Sequence, residues 1–289
     1  TFGEGKHIIA GSGGAIFYSK NGGKGWKFAS ANPFTAKENI NSLDYADGMF
    51  IAGGTNGKTA LSVDGINWYE ESIENYPALS SGQGGNYNIN ALAHGNGVVV
   101  GVSSVATVAN INIGSSNSSA KISIQSKTYS DFDWKTDKSL RGDDLRSTVF
   151  GNETFIAGGQ KGQIQTGNVN DEGDITWTNS NLGVEESIQG LAYGNSGFVA
   201  VTGKRGGNDT TPSGSIFFKG DGSENQWQGI PTNTIPTNTS DSEINFFDVA
   251  AGNNDFIAVS KEGGIYSIDQ VDSNLVANKV STENTKELR

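Results

Sequence analysis

The 289-residue chain has no cysteine, which excludes disulfides and thiolate-bound metals without fixing the compartment. Histidine occurs only at His7 and His94, expected in corresponding turn positions with no clustered partner, so neither a metal site nor general-base work by imidazole is supported. Arginine is confined to Arg141, Arg146, Arg205 and Arg289. No apolar run approaches the ~18 to 20 residues that a membrane-spanning helix needs. The longest, around residues 98–102, reads as a buried strand, and no segment has a convincing helical period. Basic residues are few: 20 Lys and Arg against 31 Asp and Glu leave a formal charge of −11. Such a surface repels phosphate backbones and anionic headgroups, so no nucleic acid and no membrane insertion are expected. The chain opens at Thr1 with neither an initiator Met nor a signal peptide, and is expected to be processed or to be part of a larger chain or assembly.

What is abundant points the other way. Glycine stands at 41, and Asn, Ser and Thr fill the gaps between short apolar runs, the mix of many strands joined by tight turns. An apolar cassette recurs six times, as Ile8-Ile9-Ala10-Gly11, Phe50-Ile51-Ala52-Gly53, Val98-Val99-Val100-Gly101, Phe155-Ile156-Ala157-Gly158, Phe198-Val199-Ala200-Val201 and Phe256-Ile257-Ala258-Val259. A β-rich repeat spaced by roughly 40 to 60 residues is the signature of a propeller blade.

The second repeat serves as template: strands are expected at residues 40–45, 50–53, 59–62 and 68–70, with Asp47-Gly48 as a turn. The first strand recurs at 89–93, 145–149, 188–192 and 244–248, whereas the first repeat keeps only Thr1-Phe2-Gly3, so the chain is expected to enter in mid-blade or another segment to complete that strand. The second strands are apolar without alternation, as in a sheet covered on both faces. The expected fold is all-β, a six-bladed β-propeller with seven blades as the alternative, over residues 1–280, followed by a polar tail at 281–289.

Two turns carry a shared pattern. Ser62-Val63-Asp64-Gly65-Ile66-Asn67-Trp68 follows S-x-D-G-x-x-W, and Ser19 to Trp26 is a one-residue-longer version with Asn21 in place of the Asp. In such a hairpin the Asp or Asn oxygen accepts backbone N–H groups and Gly supplies positive φ. The pattern resembles the Asp-box, or bacterial neuraminidase repeat, of sialidase-like propellers. Ser19, Asn21, Trp26, Ser62, Asp64 and Trp68 are its structural residues, and Trp134, Trp177 and Trp227 follow degenerate turns, each expected to pack in a blade. The resemblance implies a carboxylate-binding arginine triad, a Tyr–Glu nucleophilic pair and an Asp acid/base in catalytic members. Here Arg141 and Arg146 share one segment, Arg205 lies in a loop and the family's Arg-Ile/Leu-Pro signature is absent, so a non-catalytic member is expected.

Other chemistry is sparse. Glu70-Glu71, Asp143-Asp144 and Glu185-Glu186 are adjacent pairs, which point to opposite faces of a strand and make no glycosidase dyad, although carboxylates of different blades could meet. Residues 168–174 resemble the front of a calcium loop but have Asn179 where the bidentate Glu belongs; a structural calcium is the one cofactor considered. Arg141-Gly142-Asp143 is an integrin-type tripeptide.

Long connections at 72–87, 103–120, 202–214 and 231–243 are expected on one face, where binding usually resides. Candidate ligand contacts are the second residues of the first strands, Asn41, Asn90, Arg146, Gln189 and Asn245, with Tyr76, Tyr87 and Arg205 in the loops. Amides flanked by tyrosines suit sugar hydroxyls; alternatively these amides satisfy backbone groups between blades. The expected function is a non-enzymatic binding module, extracellular or on the cell surface and bacterial, recognising a glycan or a surface protein. A glycoside hydrolase or lyase and a structural part of a surface assembly are the alternatives.

Overall fold

The computed structural model describes residues 1–71, 88–104, 108–112, 121–124, 127–130, 135–137, 144–171, 173–194, 197–204, 214–221, 226–230, 244–253, 255–260, 263–271 and 274–280. It is built of antiparallel meanders, and no helix among these residues is long and apolar enough to cross a membrane. Two compact units are formed, one from residues 1–148 with 168–177 and the other from 149–167 with 178–289.

Among the described residues six sheets have four strands each. The first strands are Phe2–Gly3, Ile40–Ala46, Ile89–Gly95, Leu145–Gly151, Ser187–Gly194 and Phe246–Ala251. The expectation of six like blades, or seven, is corrected to five regular ones. In those five, four consecutive strands follow one another; in the third sheet a separate hairpin, Lys121–Ile124 with Lys127–Ser130, interrupts the meander before the closing strand Lys135–Asp137. The insertion between Asn112 and Lys135 is the physical reason, because a fourth strand reached through extra chain no longer repeats the simple meander.

The cassettes form the second strands, and Met49–Gly54, Val98–Ser103 and Gly197–Gly203 are buried along their whole length. Such strands lie between two neighbours, so both sides are apolar. In the first unit Ile8 and Ile16 pack with Phe34, Ile40, Phe50, Ala52, Ala60 and Trp68. In the second, Ile156, Ile164, Ile188, Leu191, Phe198, Ala200 and Phe217 form one cluster, and Val199, Ile216, Phe246, Phe256 and Ile268 belong to another. Close approach is secured by glycine at chosen points: a Cβ on Gly151 would lie 2.0 Å from the Tyr193 ring.

The cross-strand register adjusts the sequence alignment. Tyr45 pairs with Phe50 and Phe2 with His7, so His7 occupies the place of Phe50 and Ile9 that of Ala52. First strands two, three, five and six contain a bulge, between Ile40 and Ser42, at Ile89 to Ala91, between Ile188 and Gly190, and between Phe246 and Asp248. The extra residue is Asn41, Asn90, Gln189 and Phe247 in turn, so Asn245 lies just before its strand and Phe247 takes the expected second place.

Candidate recognition surface

The bulge leaves a side chain outside the ladder, free to reach a neighbouring sheet. Asn41 Nδ2 donates to the carbonyl of Ile89 at 3.0 Å, and Asn90 Nδ2 donates to that of Leu145 at 2.5 Å and to Asp144 Oδ1 at 3.0 Å. Both acceptor carbonyls belong to the opening residue of the next first strand. Gln189 Nε2 instead donates to Gly203 O within its own sheet at 2.9 Å. A second set works in the opposite direction: Gly13 N–H donates to Asn39 Oδ1, Asn56 N–H to Asn88 Oδ1 and Lys204 N–H to Asn245 Oδ1, at 3.2, 3.3 and 3.0 Å. These asparagines stand immediately before a first strand and hold the preceding sheet. Asn39 and Asn88 were not singled out from sequence, although their recurrence one place before Ile40 and Ile89 was a usable signal.

Arg146 has a different setting. Its Nε donates to Asp144 Oδ2 at 3.1 Å, while its buried Nη1 has no partner. Tyr76, Tyr87 and Arg205 lie outside the described residues, as do Trp134 and the tripeptide from Arg141 to Asp143.

The turn after the third strand of sheet two is held as its chemistry requires. Gly65 N–H donates to Ser62 Oγ at 2.8 Å, and the N–H groups of Ile66 and Asn67 both donate to Asp64 Oδ1 at 2.8 Å. Gly65 has φ +65°, and Trp68, buried to 2 % exposure, follows the turn and packs against Phe50. In sheet one Ser19 Oγ donates to Lys24 O, Asn21 N–H donates to Ser19 Oγ, and Trp26 is exposed. Trp177 and Trp227 are half-buried.

Carboxylates and calcium-type ligands are engaged locally. Asp248 is exposed as a whole, but partial desolvation beside Gly190 pushes its carboxyl up, against the opposing hydrogen bond that Oδ1 accepts from Val249 N–H at 2.9 Å. The hydrogen bond to Asp44 holds the His94 imidazole above its ordinary value. Glu70 pairs with Lys58 at 3.3 Å. In the segment read as a calcium-type loop, Asp174 N–H donates to Asn170 Oδ1 at 2.8 Å and Gly173 N–H to Asn170 O at 3.0 Å. Among the described residues no group of three His, Asp or Glu side chains comes together as metal ligands.

Exposed large apolar side chains concentrate in the first and last sheets. In the first, the register sets Phe2 opposite His7, Ile9 opposite Phe17 and Phe17 opposite Phe28, so all five share one face. Phe2, Ile9 and Phe28 are 57 %, 48 % and 69 % exposed, and the Phe17 and Phe28 rings lie 4.3 Å apart. In the last sheet Phe247, Val259, Val276 and Val280 are exposed. Sequence reading missed both sets because it took each sheet to be covered on both faces. The first sheet also borders a cleft of about 270 Å³, lined by Thr1, Ile8, Ile9 and Ala10 on one side and by Ile40, Asn41, Ser42 and Leu43 on the other.

No protein-family model matches the chain. No curated protein matches it. Among solved structures it is similar to YCF48 bound to D1 peptide, with a TM-score of 0.62 and 14% identity over 97% of this chain and 78% of that one. A chain of the Mitotic Checkpoint Complex matches with a TM-score of 0.62 and 9% identity over 96% of this chain and 77% of that one. YCF48 from Cyanidioschyzon merolae matches with a TM-score of 0.58 and 15% identity over 96% of this chain and 83% of that one. The fold is a β-propeller. At this identity the likeness establishes the propeller architecture and nothing of its chemistry.

Proposed function

We propose that this propeller is a non-enzymatic protein-recognition module, extracellular or at the cell surface. The observation that carries the reading is the contiguous apolar face of the first sheet, Phe2, His7, Ile9, Phe17 and Phe28. Large exposed apolar patches mark protein contact surfaces. The neighbours named for a bound peptide and for a multiprotein complex support the same reading. Four of the five polar side chains that are candidates for ligand contact, Asn41, Asn90, Gln189 and Asn245, are hydrogen-bonded to backbone groups, which favours protein over glycan as partner. Non-catalytic kinship with Asp-box propellers stays part of the proposal, supported by the turn at Ser62 to Trp68.

The test isolates the protein with its native partners after cross-linking, then repeats the isolation with an Ile9→Ser, Phe28→Ser double variant. A stoichiometric partner cross-linked to sheet one and lost in the double variant is expected, with no response on a glycan array. Glycan binding abolished by Asn41→Ala and untouched by the double variant would overturn the reading.

A further inference from the structure

Three Asn-Gly steps occur in the chain, at Asn21-Gly22, Asn56-Gly57 and Asn96-Gly97, and all three asparagines are exposed. At such a step the glycine nitrogen has no side chain beside it and can reach the asparagine Cγ. Closing the cyclic imide requires rotation about the asparagine Cα–C bond, so the turn around it must yield. The three turns differ in how far they can.

Two of them are held. Asn56 sits at φ 59°, ψ 26° within the turn Thr55–Gly57, and its N–H donates to Asn88 Oδ1 at 3.3 Å. Gly57 is buried, and Lys58 N–H closes that turn on Thr55 O at 3.2 Å. Asn96, at φ 48°, lies in a hairpin turn pinned by the pairing of Gly95 with Val98, and Val98 is wholly buried.

Asn21 is placed differently. It opens a turn closed only by Lys24 N–H on Asn21 O at 3.0 Å, and its own N–H donates to Ser19 Oγ at 3.2 Å. Gly22 and Gly23 follow at φ +55° and +79°, and a Cβ on either would meet nothing within 4 Å. Among the described residues neither the Asn21 side-chain amide nor Gly22 N–H makes a hydrogen bond. In the corresponding turn of sheet two the side chain is occupied, since Asp64 Oδ1 accepts the N–H groups of Ile66 and Asn67. Lys20 and Lys24 flank Asn21 in a chain of formal charge −11, and local positive charge favours loss of the Gly22 amide proton.

We propose that Asn21 is a self-modification site, converting through a cyclic imide to aspartate and isoaspartate. Hydroxide removes the Gly22 amide proton, and that nitrogen attacks Asn21 Cγ to form a new C–N bond. The Cγ–Nδ2 bond breaks, and Nδ2 leaves as ammonia after taking a proton from water. Water then adds to one of the two ring carbonyls and opens the ring. Opening at Cγ restores the normal backbone with an aspartate, the residue type that sheet two carries at Asp64. Opening at the main-chain carbonyl leaves an isoaspartate, whose extra backbone methylene disrupts the pairing of position 21 with Lys24. The conversion proceeds whatever the apolar face docks, so it goes beyond the recognition reading.

The test ages the purified 289-residue protein at mildly alkaline pH, with and without urea. Peptide mapping by mass spectrometry follows the three steps, and an isoaspartate-specific methyltransferase reports the isomer. In the folded protein Asn21 should exchange NH2 for OH about tenfold faster than Asn56 or Asn96, because its turn opens without disturbing packed strands. In urea that gap should shrink. Asn21→Gln, which closes a larger ring slowly, should remove most of the methyltransferase signal. An intact Asn21 while Asn56 or Asn96 converts, equal rates in the folded protein, a gap undiminished in urea, or full signal from the Asn21→Gln variant would each overturn the inference.

Discussion

Sheets one and two are built from the same repeat and differ in what covers them. Phe50 is wholly buried in sheet two, and its register counterpart in sheet one is the half-buried His7. Ala52 is wholly buried, whereas Ile9 in the matching place is 48 % exposed. Burial therefore follows the presence of a neighbouring sheet more than the residue type, and a larger apolar side chain stands where less of it is hidden. The pair separates what the repeat needs to fold from what it offers outward.

The largest effect should come from removing a ring on each side of that divide. Phe50→Ala deletes a fully buried ring and should cost about 3–5 kcal/mol in urea denaturation. Phe28→Ala, at an exposed ring, should change stability by no more than about 0.5 kcal/mol. Equal losses would show that the first sheet's face is covered within this chain.

A smaller contrast lies at two matched glycines. A Cβ on Gly54 would lie 2.3 Å from Asn39 O, so Gly54→Ala should lower stability by about 1–3 kcal/mol. Around Gly11, its counterpart, nothing stands within 4 Å, and Gly11→Ala should stay within about 0.5 kcal/mol in the same thermal melt.

The smallest effect is a pH dependence present where sheet three meets sheet two and absent in sheet one, where Phe2 takes the place of His94. His94 Nδ1 lies 2.9 Å from Asp44 Oδ2, and that hydrogen bond raises the imidazole above its ordinary 6.5. The folded state holds its proton more tightly than the unfolded chain, so the stabilisation is complete below pH 6.5 and fades as pH rises through the folded value. With the ring half exposed, the loss should be at most about 0.5 kcal/mol. His94→Gln should flatten the melting temperature across that range, and an unchanged slope would reject the assignment.

Strand content was legible because the apolar cassettes sit between Gly, Asn and Asp turns, and both FIAGG segments became second strands. The shortened first strand at Phe2–Gly3 could also be read directly. Ser62, Asp64 and Trp68 behaved as a hairpin turn, since their roles depend on near neighbours. Register was not legible. A bulge shifts pairing by one residue without changing the apolar pattern, which is why Asn245 was taken for the equivalent of Asn41 when Phe247 is. The third sheet lost its regularity through chain inserted after Asn112, and such an insertion carries no apolar signature of where the fourth strand resumes. The exposed face built by Ile9, Phe17 and Phe28 depends on which sides are left uncovered, a property of the assembled sheets rather than of any segment.

The asparagines that tie neighbouring sheets give the repeat a sense of travel. Asn41 and Asn90 reach forward to the carbonyl that opens the following unit, and Asn39 and Asn88 receive amides from the unit behind. A repeat can therefore be moved or duplicated only with its leading asparagine and its bulge intact. A repeat excised between Asn39 and Ile40 would lose the clasp of the strand it serves, whereas one cut a residue earlier would carry both along.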